Sequence, residues 1–330
     1  MSGGTAATGE TLLGRGRSLA SATTLMPLSG LALILVIAAI VTPGFYSDAN
    51  MRLVLFQAGL IGITAVGQTL VLLGRGIDLS VGAVMGLTTV IIATQSEGDA
   101  GRLPVAIGLA ALAGLLVGAV NAGLVVLRGV PPFVATFAVF VLVQGAITAW
   151  TKGAAAGDIP KALQPLGSGR FLGLPTPLWL FVVIAIVAAV ILARTSAGRR
   201  LYATGSNPRA ARLSGIRTGR VLAVGYIASA LLAVLAGLVS AAYAGHVDAQ
   251  LSRSLDLNSL AAAVIGGIAL TGGRGHIGHT VIGVALLAVL IVWMIQLGAG
   301  AGGQLAVQGA AILLATWLRQ RGTADSGGAK

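Results

Sequence analysis

The chain has 330 residues, of which 56% are hydrophobic and only 9% charged. A soluble domain carries about 25% charged residues, so this composition cannot cover a water-facing surface, and an ordinary soluble enzyme is excluded. The net charge of +12 comes without an aromatic-rich basic patch, which argues against a nucleic-acid partner and for basic loops beside a lipid bilayer.

Residues 1–24 are rich in Gly, Ser, Thr and Ala, carry Arg15 and Arg17, and read as a disordered cytoplasmic tail. Leu25 to Thr42 is apolar over about 18 residues, near the length that spans a bilayer, and reads as a signal-anchor helix. Apolar segments follow at 53–73, 79–96, 103–127, 133–150, 177–193, 221–244, 257–271, 278–298 and 304–318. The fold class expected is all-α: a polytopic transmembrane helical bundle of about ten spans over residues 25–318, then a cytoplasmic tail at 319–330. The segments at 257–271 and 304–318 are short for a full crossing, which takes about 20 residues. Gly82 with Gly86, and Gly114 with Gly118, are small-xxx-small pairs suited to close helix packing.

Charge gives the direction. With ten spans and a cytoplasmic N-terminus, fifteen basic residues fall inside: Arg15, Arg17, Arg75, Arg128, Arg194, Arg199, Arg200, Arg209, Arg212, Arg217, Arg220, Arg274, Arg319, Arg321 and Lys330. Six fall outside: Arg52, Arg102, Lys152, Lys161, Arg170 and Arg253. That bias follows the positive-inside rule and puts both termini in the cytoplasm. Stretch 151–176 is then an outer polar surface, and 194–220 is the largest inner loop, with seven Arg and no acid. Gly74-Arg75-Gly76 is echoed at an offset of 199 by Gly273-Arg274-Gly275, and Gly67 maps to Gly266. These Gly-interrupted segments would form a parallel internal repeat, a pointer to a transport path.

Within the inner loop, Asn207 is a good N-cap, Pro208 suits the first helical position, and Gly215 suits the position after a helix end. A short helix over 207–215 is therefore predicted, with Ala210 and Ala211 as a small surface and Leu213 as an apolar knob. It reads equally as a helix that docks in a partner's groove or as one held at the interface by Arg and anionic lipid. Asp78 is the acid nearest the membrane core. It is a transport-path candidate, or it caps the third helix together with Ser80. Gln57, Gln68, Asn121, Thr136, Gln144, Asn258, Gln296 and Gln308 would bind a polyol or bridge helices.

The run Gly205-Ser-Asn207-Pro-Arg-Ala210-Ala211-Arg212-Leu213-Ser214-Gly215-Ile216 resembles the cytoplasmic coupling segment of the ribose-type sugar permease family of bacterial ATP-binding-cassette importers. The family pattern is Gly-Asn-x-x-Ala-Ala-Arg-Leu-Ser-Gly-Ile. Here Ser206 is inserted, and Arg209 stands where an acid is often found. Gly76-Ile-Asp78-Leu-Ser80-Val-Gly82 resembles the family's Gly-Gly-Ile-Asp-Leu-Ser-Val-Gly, with Arg75 in place of one glycine. Asn121 followed by Val130-Pro131-Pro132-Phe133-Val-Ala-Thr136 resembles its Asn-Gly…Ile-Pro-Pro-Phe-Ile-x-Thr segment. Ala261 through Gly266-Gly267 to Gly272-Gly273-Arg274-Gly275 resembles its Val-Ile-Gly-Gly-x-x-Leu-x-Gly-Gly-Arg-Gly.

The resemblance implies a permease subunit that moves a monosaccharide or polyol across the bacterial inner membrane. It implies three partners: a cytoplasmic ATPase that binds ATP and Mg, an extracytoplasmic sugar-binding protein, and a second permease subunit. Gly205, Asn207, Ala210, Ala211, Arg212, Leu213 and Gly215 become ATPase-coupling candidates. Gly76, Asp78, Ser80, Asn121, Pro132, Phe133, Gly273 and Gly275 become candidates for the translocation path. The alternatives are a stand-alone secondary transporter or a passive channel for a small polar solute.

No catalytic residue, metal site or cofactor is expected in the chain. Cys is absent; His246, His276 and His279 do not make a metal site, and no carboxylate lies near the i,i+3 pair His276 and His279. Gly273-x-Gly275-x-x-Gly278 fits a dinucleotide fingerprint only formally, since no strand precedes it, and no P-loop occurs.

Overall fold

The computed structural model describes residues 9–154, 157–246 and 255–327. Its helices are α1 (Gly9–Val41), α2 (Asp48–Leu73), α3 (Val81–Ser96), α4 (Leu103–Ala122), α5 (Pro132–Thr151), α6 (Gln164–Ser168), α7 (Thr176–Arg194), α8 (Ser196–Ser206), α9 (Pro208–Leu213), α10 (Thr218–Ala244), α11 (Leu255–Gly266), α12 (Ile277–Gln296) and α13 (Ala301–Gly327). A small antiparallel hairpin pairs β1 (Arg170–Phe171) with β2 (Leu174–Pro175), Arg170 opposite Pro175. Every one of the ten apolar segments falls on a helix of its own. Six of these, α2, α4, α5, α7, α10 and α12, are long and apolar enough to cross a bilayer. The fold is an all-α, polytopic membrane bundle.

A helix that is apolar on all sides belongs in the middle of its bundle, and α2 is such a helix. From Val54 to Leu73 it is almost wholly buried, packed by α7, α10, α11 and α12. Missing side chains make the approach: a Cβ on Gly62 would strike the Phe181 ring of α7. Likewise Gly114 and Gly118 of α4 face α10, where a Cβ on Gly118 would lie 2.9 Å from the Ile227 Cα. The outer helices show the opposite pattern. Leu112 and Leu116 of α4, Val134 and Leu142 of α5, and Ile186 and Val190 of α7 are exposed, which gives the apolar rim that lipid requires.

The two long loops lie at opposite ends of α10. Its N-terminus follows directly on α9. Its C-terminus carries α6, where Gly167 sits 2.8 Å (by a notional Cβ) from the Tyr243 Cα. The 151–176 loop is also tied to the end of α3, with Gly98 N–H donating to the Asp158 carbonyl at 3.1 Å.

Three helix boundaries differ from the apolar segments of the sequence. Helix α1 begins at Gly9, ahead of the apolar segment, where Leu12, Leu13, Leu19 and Ala20 are good helix formers. Residues 319–327 likewise prolong α13. The eighth segment stops at Gly266 rather than 271, since Gly267 has φ +139°, which a helix cannot accommodate. Residues 1–8 and 328–330 of the expected tails, and Arg253 of the outer charge count, lie outside the described residues.

Candidate translocation and coupling site

After α2 the chain turns at Gly74–Arg75 and doubles back into the bundle before α3 begins. Gln68 of α2 marks how far. In the amide orientation that satisfies both of its ends, its nitrogen donates to the Asp78 carbonyl at 3.0 Å and its oxygen accepts from the Asp78 N–H at 3.3 Å. Residues 76–80 therefore lie level with the last turns of α2. This re-entry explains why α3 has only 16 residues, about 24 Å at 1.5 Å per residue.

The returning segment carries a buried polar chain. Asp78 Oδ1 accepts from the Ser80 N–H at 3.0 Å and from the Ser80 hydroxyl at 2.6 Å. Asn121 of α4 donates to the same Ser80 hydroxyl oxygen at 2.8 Å. Thr136 of α5 donates to the Ile77 carbonyl at 3.1 Å. On the far side, the Tyr226 hydroxyl of α10 fills the space a Cβ on Gly76 would need. The Ser229 hydroxyl, one turn on along α10, is buried without a hydrogen-bond partner. Gly76, Asp78, Ser80 and Asn121 thus come together, all buried. Asp78 has no ion-paired basic side chain among the described residues. The arrangement ties α2, α3, α4 and α5 at one point, with α10 packed against it. Tyr226 and Ser229 were missed in the sequence; their i,i+3 spacing among small α10 residues is the signal that could have found them.

The other candidates fall in two places. Phe133, at the start of α5 beside the half-buried Pro132, is 55% exposed. It heads a stripe of Phe137, Phe140, Gln144 and Thr148 down one helix face, with ring centroids 6.0 and 6.1 Å apart along the three phenylalanines. The lower part of this stripe lines a hollow of about 480 Å³. Gly273 and Gly275 instead belong to a seam. Gly273 N–H donates to the Leu73 carbonyl at 2.9 Å, and the Tyr202 hydroxyl of α8 donates to the Gly275 carbonyl at 2.8 Å. Arg75 Nε reaches the Thr271 carbonyl at 2.8 Å. The two Gly-Arg-Gly turns of the sequence echo are therefore in contact. Gly205 of α8 is wedged between the Leu73 carbonyl and Gly273 with no space for a side chain. Burial pushes the Tyr202 phenol above its ordinary pKa.

From this seam α8 leads into α9, and the local chemistry is as the residues predict. Asn207 Oδ1 accepts from Arg209 N–H and Ala210 N–H, each at 3.1 Å. Pro208 occupies the first turn. The helix ends with Gly215 N–H on the Arg212 carbonyl and Ile216 N–H on the Ala211 carbonyl, both 3.0 Å, with φ +79° at Gly215. That is a Schellman closure. Ala211 points inward, 4% exposed, while Ala210 and Arg212 are exposed and Leu213 is 84% exposed.

Residues 50–316 match the permease family described as branched-chain amino acid transport system / permease component. The chain belongs to this family. The permease is 36% identical to the ribose import permease protein RbsC of Escherichia coli K12 over 299 residues, 88% of its own length and 92% of that protein's. It is 36% identical to the ribose import permease protein RbsC of Bacillus subtilis 168 over 301 residues, 90% and 93% of the two chains. It is 35% identical to the autoinducer 2 import system permease protein LsrC of Shigella flexneri over 257 residues, 76% and 75%. No solved structure matches the permease. It is a multi-pass transport protein of the bacterial inner membrane, as its family and its apolar helices require.

Proposed function

We propose that this permease is the membrane subunit of a binding-protein-dependent ATP-binding-cassette importer that carries a monosaccharide or related polyol into the cytoplasm. The observation that carries the reading is α9: a helix capped at both ends, projecting Leu213 and Arg212 from an Arg-rich loop, in a chain whose relatives are import permeases. A cytoplasmic ATPase grips this helix, binds ATP and Mg itself, and biases the permease between outward-facing and inward-facing states. An extracytoplasmic sugar-binding protein delivers cargo to the 151–176 side. A second permease subunit completes the path.

Two features support a neutral polar cargo. The α5 stripe joins aromatic faces to Gln144 and Thr148, and α5 contains no charged residue. Ring faces and neutral hydrogen-bonding groups suit a sugar, whereas a zwitterion calls for paired charges. In this reading Phe133 lines the path, while Asp78, Ser80 and Asn121 brace it from behind. The chain crosses the membrane ten times with both ends cytoplasmic, and the touching Gly-Arg-Gly turns are the inner ends of a parallel repeat.

The test is Arg212→Glu with Leu213→Asp in the assembled complex. Uptake of labelled ribose into vesicles and transport-linked ATP turnover are expected to fall at least tenfold, with the permease still in the membrane. Undiminished uptake in an intact complex would remove the coupling role. Uptake by the purified chain alone, driven by an ion gradient, would replace the importer by a secondary transporter.

A further inference from the structure

The cytoplasmic end of α4 carries a wide π-type turn, Gly123–Leu127, before the chain leaves the bundle. Between this turn and the first turns of α10 lies a groove of about 650 Å³. Ala122, Val126 and Ala223 are among its walls, and Arg212, Arg217 and Arg220 stand at its edge. All three arginines are exposed, and among the described residues none is paired with an acid. No acid occurs anywhere in 194–220 to answer them. Leu127, on the groove's rim, is 81% exposed, as lipid contact allows.

The groove asks for an amphiphile. Its walls are apolar and open to the outer rim of the bundle, so they suit an acyl chain; its edge holds three uncompensated guanidinium groups, which pair with phosphate in a fixed fork. Basic pockets between helices on the cytoplasmic side are where anionic headgroups gather. A free anion would leave the walls bare, and a basic partner protein would be repelled. We infer that this groove is a binding site for an acidic phospholipid, its acyl chain lying between α4 and α10 and its phosphate held by Arg217 and Arg220, with Arg212 of α9 within the same ring of charge. The inference rests on the orientation that places α9 in the cytoplasm. It makes the lipid a strut between the coupling helix and the bundle.

The experiment uses the full chain in nanodiscs of phosphatidylcholine containing a minority of phosphatidylglycerol, with phosphatidylglycerol retained after detergent extraction counted by native mass spectrometry. Retention does not depend on transport, so this result stands apart from the importer reading. Arg217→Gln with Arg220→Gln is expected to lower retention at least tenfold. Gly123→Phe should do the same without removing charge, because a Cβ at Gly123 meets nothing within 4 Å and the ring can occupy the groove. Arg199→Gln with Arg200→Gln, the same charge loss on exposed α8 positions, should leave retention unchanged. An equal loss in the α8 variant would reduce the effect to general basicity and overturn the site. So would full retention in Gly123→Phe, or displacement of the lipid by inorganic phosphate alone.

Discussion

Removing the Asp78 carboxyl group would leave the Ser80 N–H and hydroxyl without their acceptor and loosen Asn121 behind them. Each buried donor left unpaired costs about 1–3 kcal/mol, so Asp78→Ala should lower the thermal midpoint of the purified permease by several degrees. Asp78→Asn keeps an oxygen at the same place and should come close to the parent protein in both midpoint and uptake. Should Asp78→Asn abolish uptake at an unchanged midpoint, the charge itself serves transport and the bracing role fails. Arg75 poses a second question at this scale. Its φ of +70° costs an L-residue about 1–2 kcal/mol, yet its guanidinium holds the Thr271 carbonyl and its stem covers Gly272. Arg75→Ala keeps the strain and loses the latch, while Arg75→Gly loses both. The alanine variant should therefore be the less stable of the two by about 1 kcal/mol, read as the difference in thermal midpoint.

At the scale of elements, α8 and α9 are a contrast in what a sequence discloses. The caps of α9 are local: Asn207, Pro208 and Gly215 act on neighbours within three or four residues, so the spacing alone predicts the helix that forms. Helix α8 carries Gly198, Thr204 and Gly205, poor helix formers, and its existence depends on distant partners. Leu201 is buried, Tyr202 reaches Gly275, and Gly205 is pressed against Leu73. The same limit hides the polar tie. Asp78, Ser80 and Asn121 each stand out in the sequence, but their meeting is a product of helix packing that no local pattern encodes. Because Gly205 sets the distance between α8, α2 and the 271–275 turn, Gly205→Ala should separate the proposed coupling segment from the bundle. ATP turnover in the complex is then expected to lose its dependence on cargo, while the exposed face of α9 remains able to recruit the ATPase in a pull-down. Loss of ATPase recruitment would mean that Gly205 shapes the docking surface and not the lever behind it.

For the whole molecule, the issue is whether the short helices complete their crossings. Helix α3 has 16 residues and the described part of α11 has 12, about 24 and 18 Å, against a hydrocarbon core of about 30 Å. Irregular backbone makes up the difference in both cases, residues 74–80 before α3 and 267–276 after α11, and such backbone is tolerated at depth only where protein surrounds it. The buried polar tie meets that condition for residues 76–80. In the second segment Gly267, Ile268 and Gly272 are buried and meet it, whereas Leu270, Thr271, Arg274 and His276 are exposed and lie where the inner face is expected. The proposed ten-span topology counts both helices as crossings, which would keep the number even and the basic loops on one side. The absence of Cys makes this directly measurable with single introduced cysteines and a membrane-impermeant maleimide. Asp99→Cys, Ala162→Cys and Ala301→Cys should label from outside, and Ser196→Cys and Ser326→Cys only after the cytoplasmic face is opened. If Ala301→Cys and Ser326→Cys label from the same side, α13 does not cross. The count then falls to nine, and the C-terminus moves to the face that receives the cargo.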